Sequence, residues 1–372
     1  MTVEFIGMLG THEVSEIHAR EGAFVQPDFV RRIAQAHEAG DFDKVLIGYG
    51  SSSPDCTQVA AYVAAHTERL KFLLAHRPGF VFPTLAARTF ATLDQFSGGR
   101  VSVHIVTGGS DADQRREGDY LSKDERYART DEYLDVLKAA WTSEDPVSYS
   151  GAHYRFEDFR SDVRPAQQPR IPLYFGGSSE AAYRVGGKQA DVFMLWGEPL
   201  AETAQQIESV KAAARAAGRA EAPQFSISFR PILGPTEDKA WERAHEILDV
   251  IVSSGGGKGA FVSNAALVGG TKAAPQSVAS QRLLAAAEKG ELHDRALWTP
   301  TATATNASGN TTALVGTPET VAQAILDYVR LGISSILIRG FDPLDDAIDY
   351  GRHLIPLVRQ ELRRETPAPT PA

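Results

Sequence analysis

Residues 171–182 read IPLYFGGSSEAA: an apolar run that breaks at Gly176-Gly177, presents the hydroxyls of Ser178 and Ser179, and passes into an alanine-rich helical pattern. Glycines let a backbone approach a ligand closely, and free amides at a helix start favour an anion. Ser178 and Ser179 add donors without bulk, so the stretch suits a phosphate. The same residues are also ordinary turn and cap material. Other short polar stretches follow apolar runs: Gly10-Thr11-His12, Tyr49 to Ser53, His76-Arg77, Thr107-Gly108-Gly109, Trp196-Gly197-Glu198, and the neighbourhoods of Arg230 and Arg339. Carboxylates are few among them. There is no HExxH spacing, no GxSxG elbow and no GxxxxGK[ST] loop. Side chains of these types offer no self-sufficient acid, base and nucleophile, which is what a reaction carried by a cofactor predicts.

Eight β-rich runs must position these groups: 3–9, 44–50, 70–76, 100–108, 172–177, 191–197, 225–233 and 334–340. Several are continuously apolar, as in parallel strands buried on both faces. Helical patterns lie between them, with apolar stripes such as Phe29, Val30, Ile33 and Ala36, or Tyr133, Val136, Leu137 and Ala140. The alternation predicts an α/β fold, a (β/α)8 TIM barrel whose catalytic groups collect at the carboxyl ends of the strands. An open doubly wound sheet is the alternative. From 253 to 312 the alternation lapses into Gly-, Ala-, Ser- and Thr-rich sequence around one helical piece. This predicts an insertion before the last strand, partly mobile and able to close over the site. The expected organisation is one barrel domain over 1–360 and a disordered Pro/Ala-rich tail over 361–372.

The 372 residues are 43% hydrophobic, enough for a large core. A net charge of −9 disfavours general nucleic-acid binding. Cys56 is the single cysteine, so no intrachain disulfide and no thiolate metal cluster can form, and a reducing compartment is the simplest reading. The first residues lack a secretory pattern, and no run of about 18 apolar residues marks a membrane span. These readings predict a cytoplasmic chain without a metal site.

Several stretches taken together resemble a known family. LKFLLAHRPGFVFPTLAARTFATLDQFSGGRVSVHIVTGG (70–109), KDERYARTDEYLDVLKAAW (123–141), PLYFGGSSEAA (172–182), LWGEP (195–199) and TALVGTPETVA (312–322) are similar to the bacterial-luciferase-like flavin monooxygenases. Within these, the chain most resembles the two-component alkanesulfonate monooxygenases. The resemblance implies reduced FMN supplied by a separate NAD(P)H:FMN reductase, O2 as co-substrate, and a homo-oligomer. It implies that Thr107 and Tyr127 contact the flavin, that Ser178 and Ser179 with Gly177 hold its phosphate near Lys123, and that Trp196 lies beside the pocket. It also implies a cis peptide at Ala75–His76 beneath the flavin ring.

The chain departs from those enzymes at the substrate positions. Their cysteine is most nearly Ser53, their Arg-x-His becomes Ser228-Phe229-Arg230, their tyrosine becomes Phe341, and a basic residue is replaced around Asn306; His12 is retained. The expected substrate is an organosulfonate, including a sulfosugar such as sulfoquinovose. Arg230 and Arg339 would bind its anion, Thr11, Ser53, His76, Asn306 and Trp196 would line the pocket, and His12 would move protons. A neutral sulfone or heterocycle, or a deazaflavin-dependent dehydrogenase on the same barrel, remains the alternative.

Overall fold

The structure, a computed structural model, describes residues 3–258, 267–268, 271–272 and 274–365. All eight apolar runs form strands: β1 Glu4–Leu9, β2 Lys44–Ile47, β3 Lys71–His76, β4 Val101–Ile105, β5 Leu173–Gly176, β6 Val192–Trp196, β7 Gln224–Leu233 and β8 Ile333–Ile338. The pairing order runs from β8 through β1 to β6, and β6 pairs with β7, which pairs with β8. The circuit closes, and the fold is the parallel (β/α)8 TIM barrel. Two strands stop earlier than the sequence suggests, β2 at Ile47 and β4 at Ile105. Tyr49 and Thr107 therefore stand beyond the ladder, where their side chains are not committed to a sheet face.

By packing, the chain divides into two compact units, one of Met1–Lys44, Leu195–Gln206 and Phe225–Ala372, the other of Val45–Met194 and Ile207–Gln224. In the second, β3, β4, β5 and β6 pair in parallel, aligning Ala75 with His104 and His104 with Tyr174. Helix α5, Lys123–Thr142, begins with a full capping box: Ser122 Oγ accepts from the Glu125 amide and the Glu125 carboxylate accepts from the Ser122 amide. An antiparallel hairpin, Val147–Ser150 with Arg155–Phe159, follows it.

In the first unit, ten-residue β7 serves two partners. Phe225 to Phe229 pair with β8, while Arg230 to Leu233 pair with a further parallel strand, Ala313–Gly316. The described part of 253–312 is mostly built structure. It holds helix α9, Val278–Lys289, the antiparallel pair Leu292–His293 and Leu297–Trp298, and a short helix Pro300–Ala304. Arg282 of α9 binds the buried Glu198 carboxylate at 2.5 Å, anchoring α9 beside the end of β6. Residues 259–266 of the expected insertion lie outside the described residues. At the C-terminus the expected tail starts too early, because the last helix spans Ile355–Glu365 and Glu365 pairs with Arg330. Residues 366–372 lie outside the described residues.

Candidate active site

Three sequence-predicted residues come together in the second unit. Ser179 is the N-cap of α6, Glu180–Gln189, and its hydroxyl accepts from the Ala182 amide at 3.3 Å. Its side chain also bonds the hydroxyl of Tyr127, a buried residue of α5. Burial raises the Tyr127 pKa, so the phenol keeps its proton and can donate. Gly177 completes the cradle. Its φ is +143°, and a Cβ there would stand 2.7 Å from Ala182 Cβ and 3.2 Å from the Tyr127 hydroxyl. Ser178 is half-buried in the same turn, and Lys123 is the first residue of α5.

Thr107 lies two residues beyond β4 and is 5% exposed, and its hydroxyl has no hydrogen-bond partner among the described residues. Buried hydroxyls are nearly always paired, so an unpaired one at a strand end is what a ligand would complete. A phosphorylated ligand with a polar ring system fits these residues: a glycine turn at a helix start with serine and tyrosine hydroxyls for a phosphate, and an unsatisfied threonine for a ring heteroatom. Gly177→Ala should cost about 1–3 kcal/mol of stability and lower FMN affinity at least about tenfold, since both the left-handed φ and the close approach are lost. Denaturant unfolding and a fluorescence titration check the two effects separately.

Two expectations at the end of β3 are corrected. Ala75–His76 is a trans peptide, and the cis bond among the described residues is Gln168–Pro169. His76, expected to line the substrate pocket, packs into the helix layer. Its ring packs edge-on against Phe90 of helix α3, Pro83–Ser97, and its Nε2 bonds the Tyr133 hydroxyl of α5 at 2.7 Å. Burial lowers its pKa to about 4, so it is a neutral member of the helix layer. Because side chains alternate along a strand, Ala75 takes the opposite face. Its carbonyl accepts from Cys56, whose thiol burial pushes up to about 12. Ser53 is exposed in the loop after β2.

The first unit holds the remaining predicted residues. Thr11 Oγ donates to the Phe24 carbonyl at 2.8 Å, and His12 Nδ1 lies 2.9 Å from the same oxygen. A carbonyl can only accept, so Nδ1 carries a proton, and in the neutral imidazole Nε2 is the acceptor. Nε2 is buried and has no hydrogen-bond partner among the described residues. His12 lines a cavity of about 50 Å3 together with Met8, Gly10, Ser15, Arg339 and Gly340.

Arg230 differs most from expectation. It is 0% exposed, and its donors are committed: Nη1 and Nη2 to Glu16 at 2.9 and 2.8 Å, Nε to the Arg339 carbonyl at 3.1 Å, and Nη2 also to the Gly340 carbonyl at 2.8 Å. The guanidinium lies 3.8 Å from the centroid of Phe341, at its ring face. The anion-binding role expected of Arg230 is therefore corrected: it positions Glu16 and the 339–340 backbone. Glu16 also accepts from Arg339 at 2.8 Å. Burial alone would raise the Glu16 pKa, but the two arginines outweigh it and hold the carboxyl far below its ordinary range. Burial, then repulsion from Arg230, lowers Arg339 to about 10 against the pull of Glu16, so it stays charged at neutral pH. Arg339 is the more exposed of the two arginines and lies on the cavity wall. Trp196 packs beside Leu283, Ala302 and Ala307, and Asn306 occupies a left-handed turn (φ 55°) after the short 300–304 helix. Glu16 was missed from sequence because its arginine partner stands 214 positions away and no local spacing marks the pair.

The family description "Luciferase-like monooxygenase" matches residues 3–335. Solved structures with this fold include a riboflavin lyase with a modified FMN and riboflavin (TM-score 0.79, 21% identity, 97% of this chain and 92% of that one). Another is the EDTA monooxygenase of Chelativorans sp. BNC1 (TM-score 0.76, 17% identity, 99% and 95%). A third is an F420-dependent secondary alcohol dehydrogenase with an F420–acetone adduct (TM-score 0.67, 19% identity, 96% and 100%).

Proposed function

This chain belongs to the luciferase-like monooxygenase family, and we propose that it uses reduced FMN and O2 to cleave the C–S bond of an organosulfonate. Bound reduced FMN supplies two electrons for activating O2; one oxygen atom enters the aldehyde product, the other leaves as water, and the sulfonate departs as sulfite. The remaining work falls to this chain's own groups. Gly177, Ser178, Ser179 and Tyr127 seat the phosphate, and Thr107 donates to the ring. Arg339 faces the sulfonate, with Glu16 and Arg230 holding its guanidinium in place. His12 Nε2 accepts the proton released from the sulfonate-bearing carbon, while its Nδ1–H stays on the Phe24 carbonyl.

The observation that carries this reading is that the Arg339 guanidinium, held by Glu16, and the His12 imidazole line one cavity. A guanidinium makes charge-assisted hydrogen bonds to an anionic sulfonate that are stronger than those it can make to a neutral sulfone. Hydroxylated sulfonates, sulfosugars among them, belong in the first panel tried. The purified chain, a flavin reductase, NAD(P)H, FMN and O2 should release sulfite from at least one member of a sulfonate panel. Substrate-dependent oxygen uptake on a neutral sulfone, with none on any sulfonate, would overturn the substrate class. The likeness to the F420-dependent dehydrogenase favours a second reading. Turnover of an alcohol with F420, and none with reduced FMN and O2, would select it.

A further inference from the structure

Helix α4, Asp111–Arg116, carries Gln114 to the end of β4. Gln114 is 0% exposed, and neither its amide nitrogen nor its amide oxygen has a hydrogen-bond partner among the described residues. The amide lies directly against Gly108: a Cβ built there would stand 1.6 Å from Gln114 Nε2, and Gly108 has a left-handed φ of +99°. Thr107, the preceding residue, holds the second unpartnered buried hydrogen-bonding group of this corner. The α4 segment is pinned on both sides of Gln114, because Arg77 bonds Asp113 at 2.6 Å and Glu117 at 2.7 Å, and Tyr49 also donates to Glu117 at 2.6 Å. The segment that carries the amide is thus held in place, with a donor and an acceptor side by side and buried.

A fully buried primary amide with both ends unpaired is unfavourable in the empty chain and complementary to a group offering an acceptor next to a donor. The pyrimidine ring of a flavin has that edge: a carbonyl, an N3–H and a second carbonyl. On the reading that the chain binds FMN, we propose that Gln114 recognises the flavin's imide edge by a paired hydrogen bond, N3–H to its oxygen and a ring carbonyl to its nitrogen. The amide can rotate half a turn, so either carbonyl of the imide can be taken. Thr107 adds a donor for the neighbouring oxygen. Gln114 is accordingly a cofactor-positioning residue that no local sequence motif marked.

The test is a binding titration of FMN and N3-methyl-FMN on the wild-type chain and on Gln114→Leu and Gln114→Glu, with the thermal midpoint of each apo chain. The wild type should prefer FMN by about tenfold or more, since methylation removes the donor from a desolvated pair. Gln114→Leu should bind FMN about tenfold more weakly and keep no more than about a twofold preference. Gln114→Glu, which lacks the N–H donor, should also weaken FMN binding. The Gln114→Leu apo chain should be at least as heat-stable as wild type, because an unpaired buried amide has been removed; a structural amide would show the opposite. Tight FMN binding without discrimination by the wild type, or discrimination retained in Gln114→Leu, overturns the proposal and leaves the FMN reading standing. Failure of the wild type to bind FMN at all overturns both.

Discussion

Glu16→Gln should destabilise the folded chain by about 3–5 kcal/mol, the largest loss expected from one polar substitution in this protein. Arg230 is wholly buried, and Glu16 is the carboxylate that neutralises it. Glutamine preserves shape and part of the hydrogen bonding but leaves two arginine charges facing each other across a desolvated space. The pH dependence follows from the direction of the shift. The Glu16 pKa is lowered on folding, so its stabilisation is complete above the ordinary carboxylate value of 4.5 and disappears as pH falls through the lower folded value. Urea unfolding at pH 7 and at decreasing pH reads both effects. The wild-type advantage over Glu16→Gln should shrink only in strong acid. A loss under about 1 kcal/mol at pH 7 would show that Arg230 is neutralised elsewhere. The same geometry forbids reading Arg230→Ala as a test of substrate binding, because that change removes a wholly buried side chain and one of the two arginines that hold Glu16. Arg339, at the cavity wall, is the position at which a charge change would test the proposed sulfonate site.

His12→Asn should lower kcat/KM by about 10²–10⁴-fold, the ordinary range for losing a general base. Asparagine can still donate to the Phe24 carbonyl, so the loop from Thr11 to Phe24 keeps its hydrogen bond while the bare nitrogen at the cavity disappears. FMN affinity should stay within about twofold of wild type, because the phosphate site proposed above uses Tyr127, Gly177 and Ser179, not His12. A variant with unchanged turnover would remove His12 from the proton path. One that lost FMN binding together with turnover would show that the Thr11–Phe24 loop, and not the imidazole, had been disturbed.

The barrel, the helix caps and the glycine turn after β5 were legible in the amino-acid order because they rest on short-range rules. Eight apolar runs separated by amphipathic stretches leave few architectures open, and the stripe of α1, Pro27–Ala39, missed by one position: His37 is buried where Ala36 was expected. Ser179 as an N-cap, Gly177 at a left-handed turn and Ser122 in a capping box each follow from residues within three positions of one another. Such features are decided by local backbone geometry, which neighbours in the chain dictate.

What the side chains meet was a different matter. β3 reads KFLLAH, apolar on both faces, so period-2 alternation alone could not say whether Ala75 or His76 faces the helices. Only the packing of Phe90 and Tyr133 onto that face assigned His76 to the helix layer and the adjacent residue to the other side. Arg230 offered the same ambiguity, since a buried cation takes whichever anion the fold delivers, and Glu16 came from 214 positions away. The chain by itself determined the strand–helix order, the caps and the glycine turn, because those depend on propensity and on neighbours. The tertiary structure decided which charges neutralise each other and which buried polar atoms are left for a ligand, because desolvation and hydrogen-bond pairing are set by groups that only the closed fold brings within 3 Å of each other.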